Sequence, residues 1–333
     1  MRVIVDTDPG IDDAVAIALA MRSPELEIAA VTTVFGNTTV DRATRNTREV
    51  LARLGMRDRI PVFAGADRPL LRPLAVAADT HGETGFGYAG HAFEPEPPPG
   101  TPPREPPWTE ATEGIIEAPG ALQRLAASSP APMTLICLGP LTNVALALAL
   151  NRELLRAQVK EIVLMGGEPN GFGNATPVSE FNCWCDPEAT AMVFSSGIPL
   201  RMVGLNVTRH MVVTRAAVET LCADGDPTRC WWGDMLRFYE EFHRVREGLE
   251  GCVINDPLAV ALAMHPEFGT AEPMHVAIDR ADGLTRGQTV CDRLGLTGEP
   301  PNAVVYTEVD AASALRLVND RVFGFTAPPN PFS

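Results

Sequence analysis

The chain has 333 residues, and its 42 acidic and 27 basic side chains give a formal net charge of −15. This charge argues against nucleic acid or an anionic membrane surface as the main partner and favours a small molecule. The sequence shows neither a signal peptide nor an apolar run of about 18 residues, so we expect no transmembrane helix. Seven scattered cysteines without a C-x-x-C pair favour reduced thiols and a cytoplasmic location.

Strand-like apolar runs alternate with helix-forming segments through the first two thirds of the chain. The predicted strands are Val3–Val5, Ile28–Val34, Val62–Ala64, Met133–Leu138, Ile162–Met165 and Leu200–Val203. The predicted helices lie near Asp12–Arg22, Val40–Leu54, Thr112–Ala127, Leu141–Ala149, Pro187–Ser195 and Trp231–Glu247. This alternation predicts an α/β fold with a single large, open, mainly parallel sheet that is covered by helices on both faces.

Two segments interrupt the alternation. Residues 94–107 are rich in proline, which excludes a helix or a central strand and predicts an exposed loop insertion. Near the end of the chain, Gly287–Val290 and Val304–Thr307 predict a small antiparallel part, most simply an edge hairpin. We expect residues 1–333 to form one domain that carries the loop 94–107 as an insertion.

Four carboxylates follow the first predicted strand: Asp6, Asp8, Asp12 and Asp13. Asp12 and Asp13 could serve as an N-cap and a first-turn acid of the next helix. Alternatively, the like charges could be neutralised by a hard cation, because carboxylate oxygens are the ligands that Ca²⁺ and Mg²⁺ prefer. The position favours a binding site, since ligands of open α/β sheets bind beyond the carboxyl ends of the strands.

The segment Asp6–Ala14 resembles the N-terminal signature of the calcium-dependent nucleoside hydrolases. Seven further segments follow in the order of that family: 33–37, 138–143, 161–167, 173–176, 179–182, 186–189 and 255–259. The resemblance spans nearly the whole chain. It implies the nucleoside hydrolase fold, hydrolysis of the N-glycosidic bond of ribonucleosides to ribose and free base, and a homodimer or homotetramer.

The resemblance also implies a calcium site. Asp8, Asp13, Asp256 and the backbone carbonyl of Leu138 would bind Ca²⁺, and Asp8 would act as general base toward the calcium-bound water that is the nucleophile. The residue Asp256 also has an ordinary structural interpretation, as an N-cap ahead of Pro257 at the first helical position. Both interpretations can hold together.

Six positions match residues that hold the substrate in this family, and Asp12 would take the ribose 2′-hydroxyl. The six are Asp12, Asn37, Met165, Asn174, Glu180 and Asn182. An asparagine after glycine is also typical of a turn, and a methionine that ends a strand is also typical of a core. A carboxylate at Glu180 suits a 5′-hydroxyl and would repel a 5′-phosphate, which favours nucleosides over nucleotides.

One position departs from the family pattern. Many members carry His immediately before the third aspartate, where it can protonate the leaving base, and this chain has Asn255 there. An amide cannot deliver a proton, so we expect Asn255 to orient the base or the neighbouring Asp256. Candidate acids elsewhere are Tyr239 and His243, which are four residues apart on one helix, and His81 in a glycine-rich segment. Stacking of the base on a tryptophan is an alternative that needs no acid, and the candidates are Trp184, Trp231 and Trp232.

Two other classes of protein remain open from the sequence. The missing histidine would fit a catalytically silent relative that binds nucleoside or ribose and calcium without turnover. The pair Asp6 and Asp8 imitates the nucleophile motif of haloacid-dehalogenase-type phosphatases, although the continuation through Asp13 differs from theirs. Release of free base would distinguish the hydrolase from the first class, and magnesium-dependent release of phosphate would identify the second.

Overall fold

The computed structural model describes residues 1–92 and 117–324. The strands are β1 (Arg2–Thr7), β2 (Glu27–Thr33), β3 (Val62–Ala64), β4 (Met133–Cys137), β5 (Val159–Met165), β6 (Leu200–Val203), β7 (Val212–Thr214), β8 (Gly251–Val253), β9 (Gly269–Ile278), β10 (Thr289–Asp292) and β11 (Ala303–Val309). The α-helices are α1 (Ile11–Met21), α2 (Val40–Arg53), α3 (Ala78–His81), α4 (Glu117–Ser128), α5 (Thr142–Gln158), α6 (Phe181–Cys185), α7 (Pro187–Phe194), α8 (Leu205–Thr208), α9 (Arg215–Ala223), α10 (Pro227–Glu247), α11 (Asp256–Met264) and α12 (Ala311–Val318).

One nine-stranded sheet organises the described residues, in the order β10-β9-β11-β6-β5-β4-β1-β2-β3. Every neighbouring pair from β11 to β3 is parallel, whereas β9 runs antiparallel to both β11 and β10. The predicted fold class, a mainly parallel sheet with a small antiparallel part near the end of the chain, is confirmed. A separate antiparallel pair, β7 with β8, was not predicted.

The predicted C-terminal hairpin is wrong in its pairing. The two predicted strands correspond to β10 and β11, but they do not pair with each other, because β9 lies between them and pairs with both. Strand β9 was not predicted because Pro273 lies within it. Proline lacks the N–H that a strand residue normally donates and is therefore unusual inside a strand. Pro273 is nevertheless in register with Val304 of β11.

Helix boundaries differ from the predicted ones where local side chains intervene. Helix α5 consists of two segments separated by a break at Asn151, whose φ of −159° and ψ of 89° are not helical, so the first segment ends close to the predicted boundary near Ala149 and the second, which was not predicted, reaches Gln158. The side chain of Asn151 accepts a hydrogen bond from the Leu154 amide at 3.1 Å and so caps the second segment. The start of the helix predicted near residues 112–127 and the loop 94–107 lie outside the described residues.

The sheet is buried between two apolar layers. Side chains of β1 alternate between them: Val3 and Val5 pack in the cluster that includes α1, α10 and α11, and Ile4 packs in the cluster that includes α4, α5 and α7. Helix α1 is buried along its whole length. Within residues 1–92 and 117–324, no helix is long and apolar enough to cross a membrane. This packing leaves the carboxyl ends of the central strands as the place where polar side chains converge.

Candidate active site

A cavity of about 580 Å³ lies beyond the carboxyl ends of the central strands. Its volume falls in the range of about 300–1,000 Å³ that is usual for small-molecule sites. Most of the predicted site residues line it: Asp12, Asn37, His81, Leu138, Met165, Asn174, Glu180, Asn182, Tyr239, His243, Asn255 and Asp256. Asp8 and Asp13 do not line the cavity, since both are wholly buried behind it.

Asp13 is the most heavily hydrogen-bonded member of a group that we call the acidic cluster: Asp8, Asp12, Asp13 and Asp256. Its carboxylate accepts from the Thr7 hydroxyl at 2.6 Å, the Gly10 amide at 3.0 Å and the Asn37 side-chain amide at 2.7 Å. It lies in the first turn of α1, where the helix dipole favours a negative charge. The β1–α1 turn and the loop after β2 therefore both position this carboxylate.

Asp8 occupies a cage of backbone. Its Oδ2 accepts from the Asn37 amide at 2.6 Å, whereas its Oδ1 is buried without a hydrogen-bond partner among the described residues. A Cβ at Gly36, where φ is +155°, would stand 1.9 Å from Oδ2, and one at Gly139 would stand 2.6 Å from Oδ1. A buried carboxylate oxygen without a donor is costly, and a bound cation would supply the missing partner.

The electrostatics of the acidic cluster fit a hard cation. Carboxylate oxygens of Asp12, Asp13 and Asp256 all lie within 4.8 Å of one another and are buried. Burial first, and the charge of Asp13 second, hold the pKa of Asp8 and of Asp256 well above its ordinary value. A divalent ion with oxygen ligands would relieve this repulsion, so the donor set is suited to calcium.

Two further predictions can be compared with the structure: the Leu138 carbonyl as the fourth calcium ligand, and Asp256 as a helix N-cap. The carbonyl oxygen of Leu138 accepts a hydrogen bond from the Asn182 side chain at 2.7 Å, and a carbonyl has a second lone pair for a cation. The interpretation of Asp256 as an N-cap is wrong, because Asn255 is the N-cap of α11 and Asp256 is the first helical residue. The side chain of Asp256 therefore has no capping role and lies in the acidic cluster.

Asn255 bonds to Asp12, a partner that the sequence did not predict. Its backbone amide and its side-chain amide donate to Asp12 Oδ2 at 3.1 and 3.2 Å, and the Tyr239 hydroxyl donates to the same oxygen at 3.4 Å. The partners expected from the sequence were the base and Asp256. Asp12 and Asn255 are 243 positions apart in the chain, so this contact follows from the docking of α11 against α1.

The polar residues predicted to hold the ribose all reach the cavity, and several also fix its wall. Glu180 caps α6, with Oε1 accepting from the Asn182 amide at 2.8 Å and Oε2 from the Gly167 amide at 3.0 Å. The Asn174 side chain accepts from the Phe181 amide at 2.9 Å. Met165, the last residue of β5, also lines the cavity, so the structure places it at the end of a core strand and at the site.

His81 is held as a neutral imidazole. Its Nδ1 accepts a hydrogen bond from the Ile11 amide at 3.1 Å, so the ring proton lies on Nε2. Burial, the largest cause, lowers its pKa to about 4. At neutral pH His81 can therefore donate a hydrogen bond into the cavity, but it carries no extra proton for a leaving base.

His243 and Tyr239 lie one helical turn apart on α10, as the sequence predicted. Their ring centroids are 4.4 Å apart, and Tyr239 is 5.2 Å from His81, so the three rings form an aromatic wall (His81, Tyr239, His243). His243 Nδ1 lies 2.8 Å from the Tyr239 carbonyl oxygen, which leaves Nε2 for other partners. Burial and the charges of Asp12 and Asp256 raise the pKa of Tyr239 well above 10, so its hydroxyl remains a donor.

The three tryptophans separate into two groups. Trp231 and Trp232 are buried in the core, where Trp231 contacts Phe86 edge-on at 5.5 Å, so neither forms a base platform. Trp184 lines the cavity and stacks on Phe181 at 6.1 Å. Of the three candidates for base stacking, only Trp184 reaches the site.

Sequence reasoning missed several residues of the site. Arg209 lines the cavity and donates to the Phe172 carbonyl oxygen, next to the loop that carries Asn174. Thr208 donates to the Asn255 side-chain oxygen at 2.8 Å. Both lie in or next to the four-residue helix α8, which has no motif, so a residue pattern gave no signal for them.

Fold and site together define an α/β enzyme with a buried carboxylate site for a cation and an adjoining cavity for a small polar substrate. Comparisons with known proteins identify the family. The family model of the inosine-uridine preferring nucleoside hydrolases matches residues 3–316. The pyrimidine-specific ribonucleoside hydrolase RihA of Enterobacter sp. (strain 638) is 38% identical over 98% of this chain and 99% of the relative. The RihA of Salmonella arizonae is 39% identical over 97% of this chain and 98% of the relative.

Solved structures agree with the sequence relatives. A plant nucleoside hydrolase superposes with a TM-score of 0.83 at 31% identity, covering 98% of this chain and 99% of that one. A purine-preferring ribonucleoside hydrolase from Gardnerella vaginalis also gives 0.83, at 29% identity over 97% and 98% of the two chains. The chain belongs to the nucleoside hydrolase family and is a hydrolase that acts on N-glycosyl compounds.

Proposed function

We propose that this enzyme hydrolyses pyrimidine ribonucleosides to ribose and free base and that Ca²⁺ is its cofactor. The observation that carries the proposal is the acidic cluster at the edge of a nucleoside-sized cavity. The preference for pyrimidines rests on the relatives named pyrimidine-specific, which match over almost the whole chain. The overall negative charge and the free cysteines also support a cytoplasmic enzyme that acts on nucleosides rather than on nucleic acid or membranes.

Asp8, Asp13, Asp256 and the Leu138 carbonyl would hold the calcium. When bound, calcium supplies positive charge that favours deprotonation of water and that grips vicinal hydroxyls. Asp8 would also act as general base and take the proton of the attacking water, as the family resemblance implies. The new bond forms between the water oxygen and C1′, while the C1′–N bond breaks and its electron pair leaves with the base.

The remaining residues hold the two parts of the substrate. Asp12 accepts the 2′-hydroxyl, while Asn37, Asn174, Glu180 and Asn182 hold the rest of the ribose. The departing base needs a hydrogen bond or a proton on the side of the aromatic wall. Neutral His81 supports this with an Nε2–H donor, and His243, whose Nδ1 contacts the Tyr239 carbonyl oxygen, presents Nε2 as the candidate for delivering the proton. We further propose a homodimer or homotetramer, as the family resemblance implies.

The test is a substrate panel with and without a calcium chelator. Uridine and cytidine should be cleaved faster than inosine and adenosine, with free base and reducing sugar released in equal amounts. Uridine 5′-monophosphate should be a poor substrate, because the Glu180 carboxylate, which lines the cavity, would repel the phosphate. Binding without base release would favour the silent relative, and equal rates on uridine and its monophosphate would contradict the ribose assignment.

A further inference from the structure

One oxygen of Asp12 collects three hydrogen bonds from two distant parts of the chain. Asp12 Oδ2 accepts from the Asn255 backbone amide, the Asn255 side chain and the Tyr239 hydroxyl, at 3.1, 3.2 and 3.4 Å. A carboxylate held by three donors on one oxygen cannot rotate without breaking them. Its other oxygen, Oδ1, is then the one that can accept a hydrogen bond from a substrate.

The Asn255 amide is itself fixed in orientation. Its oxygen accepts from the Thr208 hydroxyl at 2.8 Å, and Thr208 is fully buried. A flipped amide would place its oxygen against Asp12 Oδ2, which can only accept, so two acceptors would face each other. Thr208 and Asp12 therefore select the same orientation of Asn255 from opposite ends.

These bonds engage both polar atoms of the Asn255 side chain with protein partners. Its oxygen is taken by Thr208, one amide hydrogen points to Asp12, and its nitrogen also lies 3.5 Å from the Tyr239 hydroxyl. The replacement of the family's histidine by asparagine thus acts on the sugar side of the site. The base side is left to His81 and His243.

We propose that Asn255 is a positioning residue for Asp12, and that the series Thr208–Asn255–Asp12 sets the preference of the enzyme for a ribose 2′-hydroxyl over a 2′-deoxy sugar. The proposal rests on the proposed function, in which Asp12 receives that hydroxyl. The series joins α8, α11 and α1, so the orientation of Asp12 depends on three separate elements. A substrate without the 2′-hydroxyl makes no hydrogen bond to the oriented Asp12. Its rate of hydrolysis should therefore not change when that orientation is lost.

The test compares uridine with 2′-deoxyuridine in Asn255→Ala and Thr208→Val proteins. In Asn255→Ala, kcat/KM for uridine should fall about ten- to hundred-fold, the range that a hydrogen bond to a charged group supports. The value for 2′-deoxyuridine should change by less than about three-fold, so the ratio between the two substrates collapses. Thr208→Val should lower the same ratio by about three- to ten-fold, and Thr208→Ser, which keeps the hydroxyl, should restore it.

Two controls separate positioning from general damage. Thr47→Val removes another buried threonine hydroxyl, one that donates to the Ala43 carbonyl within α2, and should leave the ratio unchanged. Calorimetric binding of D-ribose and 2-deoxy-D-ribose to the calcium-loaded proteins gives a readout that needs no turnover. The variants should lose affinity for D-ribose only, with thermal unfolding confirming that they are folded.

The outcomes distinguish this inference from the proposed function. Equal losses for the two nucleosides, or a wild-type protein that binds both sugars equally, would overturn the positioning role even if uridine is cleaved. A wild-type protein that does not cleave uridine would contradict the proposed function. In that case a selective loss of D-ribose affinity in the variants would still support the role of Asn255.

Discussion

The two ends of the cavity are held in place by different kinds of interaction. The acidic cluster is fixed mainly by backbone amides and short side chains of loops that follow β1 and β2, and Asp8 and Asp13 are wholly buried. The aromatic wall consists of long side chains from α3 and α10 that contact one another through ring faces and edges. The comparison indicates that backbone geometry fixes the sugar end, whereas side-chain packing fixes the base end.

The largest expected effect is loss of the cation. Treatment with a calcium chelator, or the Asp13→Asn substitution, should reduce hydrolysis to background, because the positive charge that activates water and binds the substrate hydroxyls is lost. Metal analysis and a nucleoside assay before and after addition of Ca²⁺ measure this. Asp58→Asn on the exposed surface is the control and should retain both metal and activity. Full activity in metal-free protein would contradict the assignment of the acidic cluster.

The second effect distinguishes Asp6, which lies in β1, from Asp8, which directly follows that strand. Asp8→Asn should lower kcat by about 10²–10⁴-fold at saturating calcium, because the general base is lost. Asp6→Asn should lower kcat much less and act on stability, since Asp6 Oδ1 accepts from the Thr32 hydroxyl and the Asn143 side chain, at 2.5 and 2.8 Å. Comparable losses of kcat in the two variants would show that Asp8 has no special role.

The third effect tests the base end. His243→Ala should slow uridine hydrolysis by about 10²-fold if His243 protonates the leaving base, and it should barely affect nitrophenyl riboside, whose leaving group needs no proton. His275→Ala, which removes a half-buried histidine outside the cavity that contacts the Pro300 carbonyl, should change neither rate. Equal slowing of both substrates would indicate that His243 only maintains the shape of the cavity.

The smallest effect concerns stability and His81. Its folded pKa of about 4 lies below the ordinary value of 6.5, so the unfolded chain binds the proton more readily. The corresponding stability is fully present above pH 6.5 and is lost as pH falls from 6.5 to 4, by about 3 kcal/mol. Urea unfolding of the wild type and His81→Gln at pH 7, 5.5 and 4 should show a shallower decline in the variant. Parallel declines would mean that His81 is not buried as a neutral ring.

Features that are local in sequence could be predicted, whereas contacts between distant elements could not. Asp8, Asp12 and Asp13 could be recognised because they are close in sequence, follow a strand and match a family signature. The bonds from Asn255 to Asp12 and from Thr208 to Asn255 depend on how α11 and α8 dock, which no local pattern encodes. For the same reason the pairing of β9 was missed, whereas the parallel direction of β1, β4 and β5 follows from alternating strands and helices.

The cage of backbone around Asp8 has a consequence for the evolution of this enzyme. No residue other than glycine fits at position 36 while Asp8 keeps its place, since even a methyl group would overlap the carboxylate at 1.9 Å. Substitution there should therefore abolish activity in a single step, with no series of weaker intermediates. In a library that covers every position, residues 36 and 139 should behave as all-or-none sites, while positions 81 and 243 should give graded activities from which new base preferences can be selected.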